Sequence, residues 1–138
     1  MPFSKILIFF CAILLLAGAA RAQTPAILAG GVLNGASNDK SGQPVAPGSL
    51  VSIYGNNLAS ASQSASSIPL PTSLSSVSVT FNNIQCPLTA VLHGDSYDQI
   101  NAQVPWELLP VTAPGTANVD VVVISNGVSS APFPAQVV

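Results

Sequence analysis

Residues 45–58 read Val-Ala-Pro-Gly-Ser-Leu-Val-Ser-Ile-Tyr-Gly-Asn-Asn-Leu, a turn followed by a strand pattern around which the rest of the chain can be arranged. Pro47-Gly48 is a turn pair, because proline fixes φ at about −65° and glycine is free to take positive φ. A strand is therefore predicted to begin at about Ser49. Its apolar residues, Val51 and Ile53, alternate with polar ones at the period of two that is typical of a half-buried strand.

Six further runs of alternating apolar residues are predicted as strands: 27–33, 76–81, 84–92, 97–104, 117–125 and 128–138. Turn signals separate them, and Asn82-Asn83 and Asn126-Gly127 are predicted to close hairpins. Gly30-Gly31 predicts a kink or bulge in the first strand. Pro132 and Pro134 cannot donate to a ladder, so the last strand is predicted to lie at a sheet edge.

Two segments lack this alternation. Residues 59–74 are rich in serine, alanine and proline, which suits a connection that crosses from one sheet to the other. Residues 106–109 lie between two prolines and have room for one helical turn. About seven short strands without a longer helix indicate an all-β, immunoglobulin-like β-sandwich.

The beginning of the chain is predicted to be a signal peptide, residues 1–22. Lys5 supplies the positive charge, residues 6–17 form the apolar run, and Ala20-Arg21-Ala22 is a cleavage motif. A membrane anchor is the alternative, but the run would span only about 18 Å as a helix, against roughly 30 Å of hydrocarbon. We therefore expect a secreted protein, extracellular or periplasmic, with residues 23–138 as one domain and no membrane span after cleavage.

Charge excludes one class of partner. After cleavage one base, Lys40, stands against five acidic residues, which gives a net charge of −4. A single lysine cannot neutralise a phosphate backbone, so nucleic-acid binding is not expected.

Cys86 is the one cysteine of residues 23–138, so the mature domain cannot form an internal disulfide. A free thiol and intermolecular pairing both remain open. Cys86 has the parity of Ile84, Leu88 and Leu92, which favours a place on the core face of a strand as a small hydrophobic residue.

Residues 47–58 resemble the second-strand signature of IPT/TIG domains, immunoglobulin-like sandwiches whose motif reads Gly-Thr-x-Val-Thr-Ile-x-Gly-x-Asn-Phe. The blocks at 31–34, 45–58, 69–74, 99–105 and 126–132 are similar, in this order, to an IPT/TIG-like domain at the C-termini of large secreted acidobacterial proteins. The resemblance implies the sandwich fold and an extracellular setting, and it implies no biochemical role.

No catalytic residue, cofactor or metal site is predicted. His93 is the one histidine, no Gly-x-Ser-x-Gly motif is present, and His93 is interpreted as a solvated turn residue. Asp95, Asp98 and Asn101 could offer oxygens to calcium, but this cation takes roughly six to eight ligands, so a solvated turn is the favoured interpretation here too.

The candidate ligand contacts are Tyr54, Tyr97 and Trp106, because aromatic side chains dominate both cores and recognition surfaces. Tyr54 has the parity of Ser52 and is predicted to face outward. Trp106 could close the core or stack on a sugar ring, and closing the core is favoured.

Three functions remain open. The first is a secreted, non-catalytic module that binds or spaces molecules at the cell exterior, with a polysaccharide or an envelope protein as partner. The second is a small secreted hydrolase that uses His93. The third is a surface structural subunit that assembles through its edge strands.

Overall fold

The computed structural model describes residues 21–38, 42–108 and 115–138. Within these residues two antiparallel five-stranded sheets pack into a β-sandwich, which confirms the predicted fold class. Seven strands have five residues or more: β1 Ala26–Asn34, β2 Leu50–Asn56, β4 Val77–Phe81, β6 Leu88–Leu92, β7 Asp98–Gln103, β8 Ala117–Ser125 and β10 Phe133–Val137. Three have two residues each: β3 Gln63–Ser64, β5 Ile84–Gln85 and β9 Val128–Ser129.

The first sheet has the order β1-β2-β7-β6-β3. Strand β2 begins at Leu50, directly after the Pro47-Gly48 turn, and pairs with β7 from Leu50↔Gln103 to Gly55↔Asp98. Val51 and Ile53 are fully buried, as their alternation predicts. The register of β1 on β2 is broken between Ile27 and Val32, which confirms the predicted bulge.

The second sheet has the order β10-β8-β4-β5, with β9 also paired to β8. Both predicted asparagine hairpins are present. Asn82 and Asn83 have φ of 47° and 65°, and Asn126 and Gly127 have φ of 49° and 79°. Positive φ at both central residues is the mark of a type I′ turn. Strand β10 is the last of its sheet, so its predicted edge position is confirmed.

The prediction of one strand over residues 84–92 is wrong. Strand β5 belongs to the second sheet and β6 to the first, so the chain changes sheets at Cys86-Pro87. A second irregularity, between Leu88 and Ala90, reverses the alternation. Val91 is therefore buried and Leu92, predicted to face the core, is 38% exposed.

Residues 128–138 and 59–74 differ in part from their predicted structure. The strand predicted over 128–138 is divided into β9 and β10, with Pro132 between them. Residues 59–74 do lead from one sheet to the other, but they also contain β3, which pairs with β6 at the edge of the first sheet. The predicted signal peptide lies outside the described residues except for Arg21 and Ala22, and Lys40 and Leu109 also lie outside them.

The core fills the space between the sheets with aliphatic residues and one aromatic ring, Phe81, which is fully buried. Cys86 has no exposed surface, which confirms its predicted place in the core, and burial raises the pKa of its thiol to about 12. Among the described residues no helix is long and apolar enough to cross a membrane.

Candidate functional site

The outer face of the first sheet carries two of the three predicted contact residues. Because strand side chains alternate between faces, Ile53 and Ile100 enter the core while Tyr54 and Gln99, their neighbours, point away from it. Tyr54, Gln99 and Leu92 lie side by side on β2, β7 and β6. We call this surface the outer face.

Tyr54 and Tyr97 form an aromatic pair at one end of the outer face. Their ring centroids are 5.6 Å apart and the rings meet at 76°, an edge-to-face arrangement. Tyr97 is 52% exposed, whereas Tyr54 is half-buried. Tyr54 thus faces outward, as predicted, and supports the more exposed ring of Tyr97.

A groove of about 290 Å³ runs beside this pair and is lined by Leu28, Leu33, Asn38, Tyr54 and Tyr97. We call it the aromatic groove. The bulge in β1 shapes it, because Gly31 lies so close to β2 that an added Cβ would meet the Tyr54 carbonyl oxygen at 2.5 Å. Sequence reasoning missed Leu28 and Leu33, although the Gly30-Gly31 signal marks the bulge beside them.

A second groove, of about 330 Å³, also borders Tyr97 and is lined by Leu92, residues 93–97 and Gln99. We call it the loop groove. Tyr97 borders both grooves, so its ring stands between two adjoining depressions.

Polar side chains continue the outer face beyond the aromatic pair. Asn101 Oδ1 accepts hydrogen bonds from Ser52 Oγ at 3.1 Å and from Gln99 Nε2 at 2.8 Å. Both bonds end on the amide oxygen of Asn101, and one of them uses an amide proton of Gln99. The Asn101 amide nitrogen and the Gln99 amide oxygen are left as a donor and an acceptor for a ligand.

Asp98 fixes the loop that carries Tyr97. Its Oδ2 accepts from the backbone N–H groups of Leu58 at 2.9 Å and Ala59 at 3.1 Å. Its Oδ1 accepts from the ring of His93 at 2.7 Å and from the backbone N–H of Gly94 at 3.2 Å. One carboxylate, only 3% exposed, therefore joins residues 58–59 to the loop 93–97.

These bonds also set the ionisation of Asp98. Burial opposes the charged form, but the hydrogen bonds from Ala59, His93 and Gly94 outweigh it and hold the pKa of this carboxyl below its ordinary value. Asp98 is therefore a buried carboxylate and not the solvated turn residue of the sequence interpretation. No local pattern reveals this role, because two of its four partners, Leu58 and Ala59, lie about 40 residues away along the chain.

His93 is also more constrained than predicted. Its side chain is 51% exposed, but Nδ1 contacts Asp98 and the backbone N–H donates to Ser62 Oγ at 2.9 Å. The interpretation as a simple solvated turn residue is wrong to this extent. The hydroxyl of Ser62 meets the backbone of His93 and not its imidazole, so this contact does not build a nucleophile-base pair.

Trp106 does not close the core. The single turn of 3-10 helix Trp106–Leu108 buries Leu108 completely and leaves Trp106 59% exposed. The indole lies against Gly48, whose missing Cβ leaves room for it. The preference for core closure was wrong because the smaller Leu108, two residues on, enters the core instead. Trp106 also lines neither groove.

Among the described residues, no three His, Cys, Asp or Glu side chains come close enough to hold a metal ion. Two of the three residues that could offer oxygens to calcium use them elsewhere, since Asp98 accepts from four N–H donors and Asn101 accepts from Ser52 and Gln99. What this surface offers is an exposed aromatic ring between two grooves and a row of neutral amides.

Comparison with known families gives one match: the family model described as the IPT/TIG domain covers residues 38–137. No curated protein and no solved structure matches the chain. The matched residues include nine of the ten strands, from β2 to β10, and therefore most of both sheets. The chain belongs to the IPT/TIG domain family, whose members are immunoglobulin-like binding or structural modules.

Proposed function

We propose that this protein is a secreted, non-catalytic immunoglobulin-like module that binds a polysaccharide or an envelope protein at the cell exterior. The binding surface is the outer face around Tyr54 and Tyr97. The observation that carries the proposal is the edge-to-face pair itself, with Tyr97 52% exposed between the aromatic groove and the loop groove. Exposed aromatic rings at grooves are the usual energetic centres of recognition surfaces.

The positioning of Tyr97 supports this proposal. A loop residue with an exposed ring normally loses conformational freedom when a ligand orders it, and that loss weakens binding. Here the four hydrogen bonds to Asp98 order the loop 93–97 in advance. Gly94 also passes so near to Tyr97 that an added Cβ would meet the Tyr97 carbonyl oxygen at 2.5 Å. A preordered aromatic contact suits binding better than it suits a spacer.

The hydrolase alternative has one observation in its favour, the 2.7 Å contact of His93 with Asp98. An imidazole oriented by a carboxylate is part of a catalytic triad, but the triad also needs a nucleophile on the second ring nitrogen. The described residues give no hydroxyl or thiol hydrogen-bonded to the His93 ring, and Cys86 is buried in the core. Binding therefore receives more support than catalysis.

Assembly through β10, the edge strand of the second sheet, receives less support too. In the second sheet the edge strand β10 contains Pro134, and Val45 occupies part of its outer side. Val45 N–H donates to Gln136 O at 2.9 Å, and Val138 N–H donates to Val45 O at 3.0 Å. Proline and an occupied edge both hinder the addition of another strand.

The secreted setting rests on the predicted signal peptide and on the resemblance to domains of secreted acidobacterial proteins. Intact-mass measurement of the protein recovered outside the producing cells tests it. A mass equal to that of residues 23–138 supports export with cleavage after Ala22. A mass that corresponds to a chain beginning at Met1 contradicts it.

Pull-down with the envelope and extracellular polysaccharide fractions of the producing cells tests the binding surface. We expect Tyr97→Ala to reduce retention of the protein by about tenfold or more, the effect of losing a central aromatic contact. Ile68→Ala is the control, because it removes a large apolar side chain that is 94% exposed and lines neither groove. Equal retention of both variants and the wild type would refute the surface.

A further inference from the structure

We infer that the ligand of the outer face is an uncharged polysaccharide, bound along its chain across Tyr97 and not at one end. This inference rests on the proposed function and names the ligand class for the same surface. Three features carry it: the two grooves that share Tyr97, the neutral amides beside them, and the distribution of charge.

The shared position of Tyr97 indicates a long ligand. The aromatic groove and the loop groove hold about 290 Å³ and 330 Å³, and Tyr97 is the residue that borders both. A ligand that covers the exposed ring therefore extends into both depressions. A polysaccharide chain fits this arrangement, because one sugar can lie with its C–H face on the ring while its neighbours on either side occupy the grooves.

The amides of β7 suit sugar hydroxyl groups. A hydroxyl donates and accepts, and Asn101 and Gln99 keep one free amide nitrogen and one free amide oxygen after their mutual bond. Ser52 fixes Asn101 from the other side, at 3.1 Å, so the orientation of the Asn101 amide is set before the ligand arrives. Paired, preordered amides next to an aromatic ring offer both kinds of contact that a sugar ring requires.

A protein partner fits this surface less well. A stable protein interface buries about 800 Å² on each partner and has an apolar centre. The apolar side chains here are small in number and only partly exposed, 37% for Leu28 and 38% for Leu92. The exposed apolar surface is thus concentrated on Tyr97 and does not form a continuous patch.

Charge separates neutral from acidic polysaccharides. The loop groove is lined by one carboxylate, that of Asp95, and by His93, and the aromatic groove is lined by no Asp, Glu, His, Lys or Arg residue. Asp98 lines neither groove, because its carboxylate is only 3% exposed and accepts from four N–H donors. The charge that faces a ligand is therefore the Asp95 carboxylate, which repels the carboxylates of uronic acids.

Native gel electrophoresis of the purified protein through dissolved polysaccharide tests the inference. The neutral probes are mixed-linkage β-glucan, xyloglucan and galactomannan, and the acidic probes are polygalacturonate and alginate. We expect at least one neutral probe to retard the protein and neither acidic probe to do so. Tyr97→Ala and Gln99→Ala should each weaken the retardation about tenfold or more, and the control variant Ile68→Ala should leave it within twofold.

Each contrary result has a different meaning. Retardation by polygalacturonate or alginate as strong as by any neutral probe overturns the inference. Absence of retardation by all three neutral probes also overturns it, but the proposed function still stands if Tyr97→Ala reduces retention in the envelope pull-down. If Tyr97→Ala affects neither assay, both the inference and the proposed surface are wrong.

Discussion

Replacing Asp98 with asparagine tests the link between the sandwich and the loop that carries Tyr97. The change keeps the size of the side chain but removes its charge and one of its two acceptor oxygens. The four N–H donors that now contact the carboxylate come from Leu58, Ala59, Gly94 and the ring of His93.

The expected loss of stability depends on which of two orientations the new asparagine amide adopts, and it follows from the less destabilising one. If the new amide nitrogen faced Leu58 and Ala59, two buried N–H groups would lose their acceptor. If it faces His93 instead, the imidazole can accept by changing tautomer, and only the Gly94 N–H loses a partner. The remaining bonds become neutral, and a bond to a charged group is worth about 1 kcal/mol more than a neutral one. We therefore expect Asp98→Asn to lower the free energy of unfolding by about 2–4 kcal/mol.

Urea unfolding followed by far-ultraviolet circular dichroism measures this loss. The matched control is Asp120→Asn, an exposed aspartate on β8, which should change stability by no more than about 0.5 kcal/mol. A loss below about 1 kcal/mol for Asp98→Asn, or one equal to that of the control, would refute the reasoning.

The stability difference between wild type and Asp98→Asn is expected to depend on pH. The pKa of Asp98 is lowered in the folded chain, so its ionised form stabilises the fold. This stabilisation is complete above the unfolded pKa of about 3.9 and is lost as pH falls from there toward the folded pKa. The difference between wild type and Asp98→Asn should therefore shrink below about pH 4. A difference that stays constant down to pH 3 would contradict this account.

Three further predictions concern glycines and the thiol. Gly127→Val should lower the free energy of unfolding by about 1–3 kcal/mol, because φ is +79° and the strain is in the backbone; an unchanged urea midpoint would refute the turn. Cys86, with its pKa raised to about 12, should react with a chromogenic disulfide reagent at pH 8 only after unfolding, and Cys86→Ala should cost about 1–2 kcal/mol. Gly48→Ala should lower the free energy of unfolding more than Gly42→Ala does, and it should shift the fluorescence of Trp106. Both glycines have positive φ, but only Gly48 touches the indole. Equal losses of stability for the two variants would show that this contact is unimportant.

The fold could be predicted where the signal is local. The alternation of Val51 and Ile53 and the turn residues Asn82-Asn83 and Asn126-Gly127 lie within a few positions of the features that they predict. The error in the buried face of β6 comes from a β-bulge. One inserted residue near Thr89 moves every later side chain of β6 to the opposite face of the sheet. Nothing in the local sequence marks that position.

The sequence indicates candidate contact residues but not their arrangement. Tyr54 and Tyr97 are candidates because aromatic residues are rare in this chain, but their contact with each other depends on how β2 and the loop 93–97 meet. The sequence predicts a turn residue at Asp98, because its bonds to Leu58 and Ala59 cross about 40 residues of chain and leave no local pattern. Trp106 was misplaced because either it or Leu108 could have filled the same core position. Pairing over long separations decides these points, and a single sequence does not display it.

The change of sheet at Cys86-Pro87 has a consequence for how the domain opens. Cys86 N–H donates to Val79 O at 2.9 Å in one sheet, and two residues later Leu88 N–H donates to Pro71 O at 2.7 Å. Because this covalent connection is so short, one sheet cannot separate far from the other while the other stays folded. Partial openings that separate the layers are therefore costly, and amide protons in β4 and β7 should exchange with solvent at a common, global free energy. The sandwich behaves in this respect as one cooperative unit rather than as two stacked foldons.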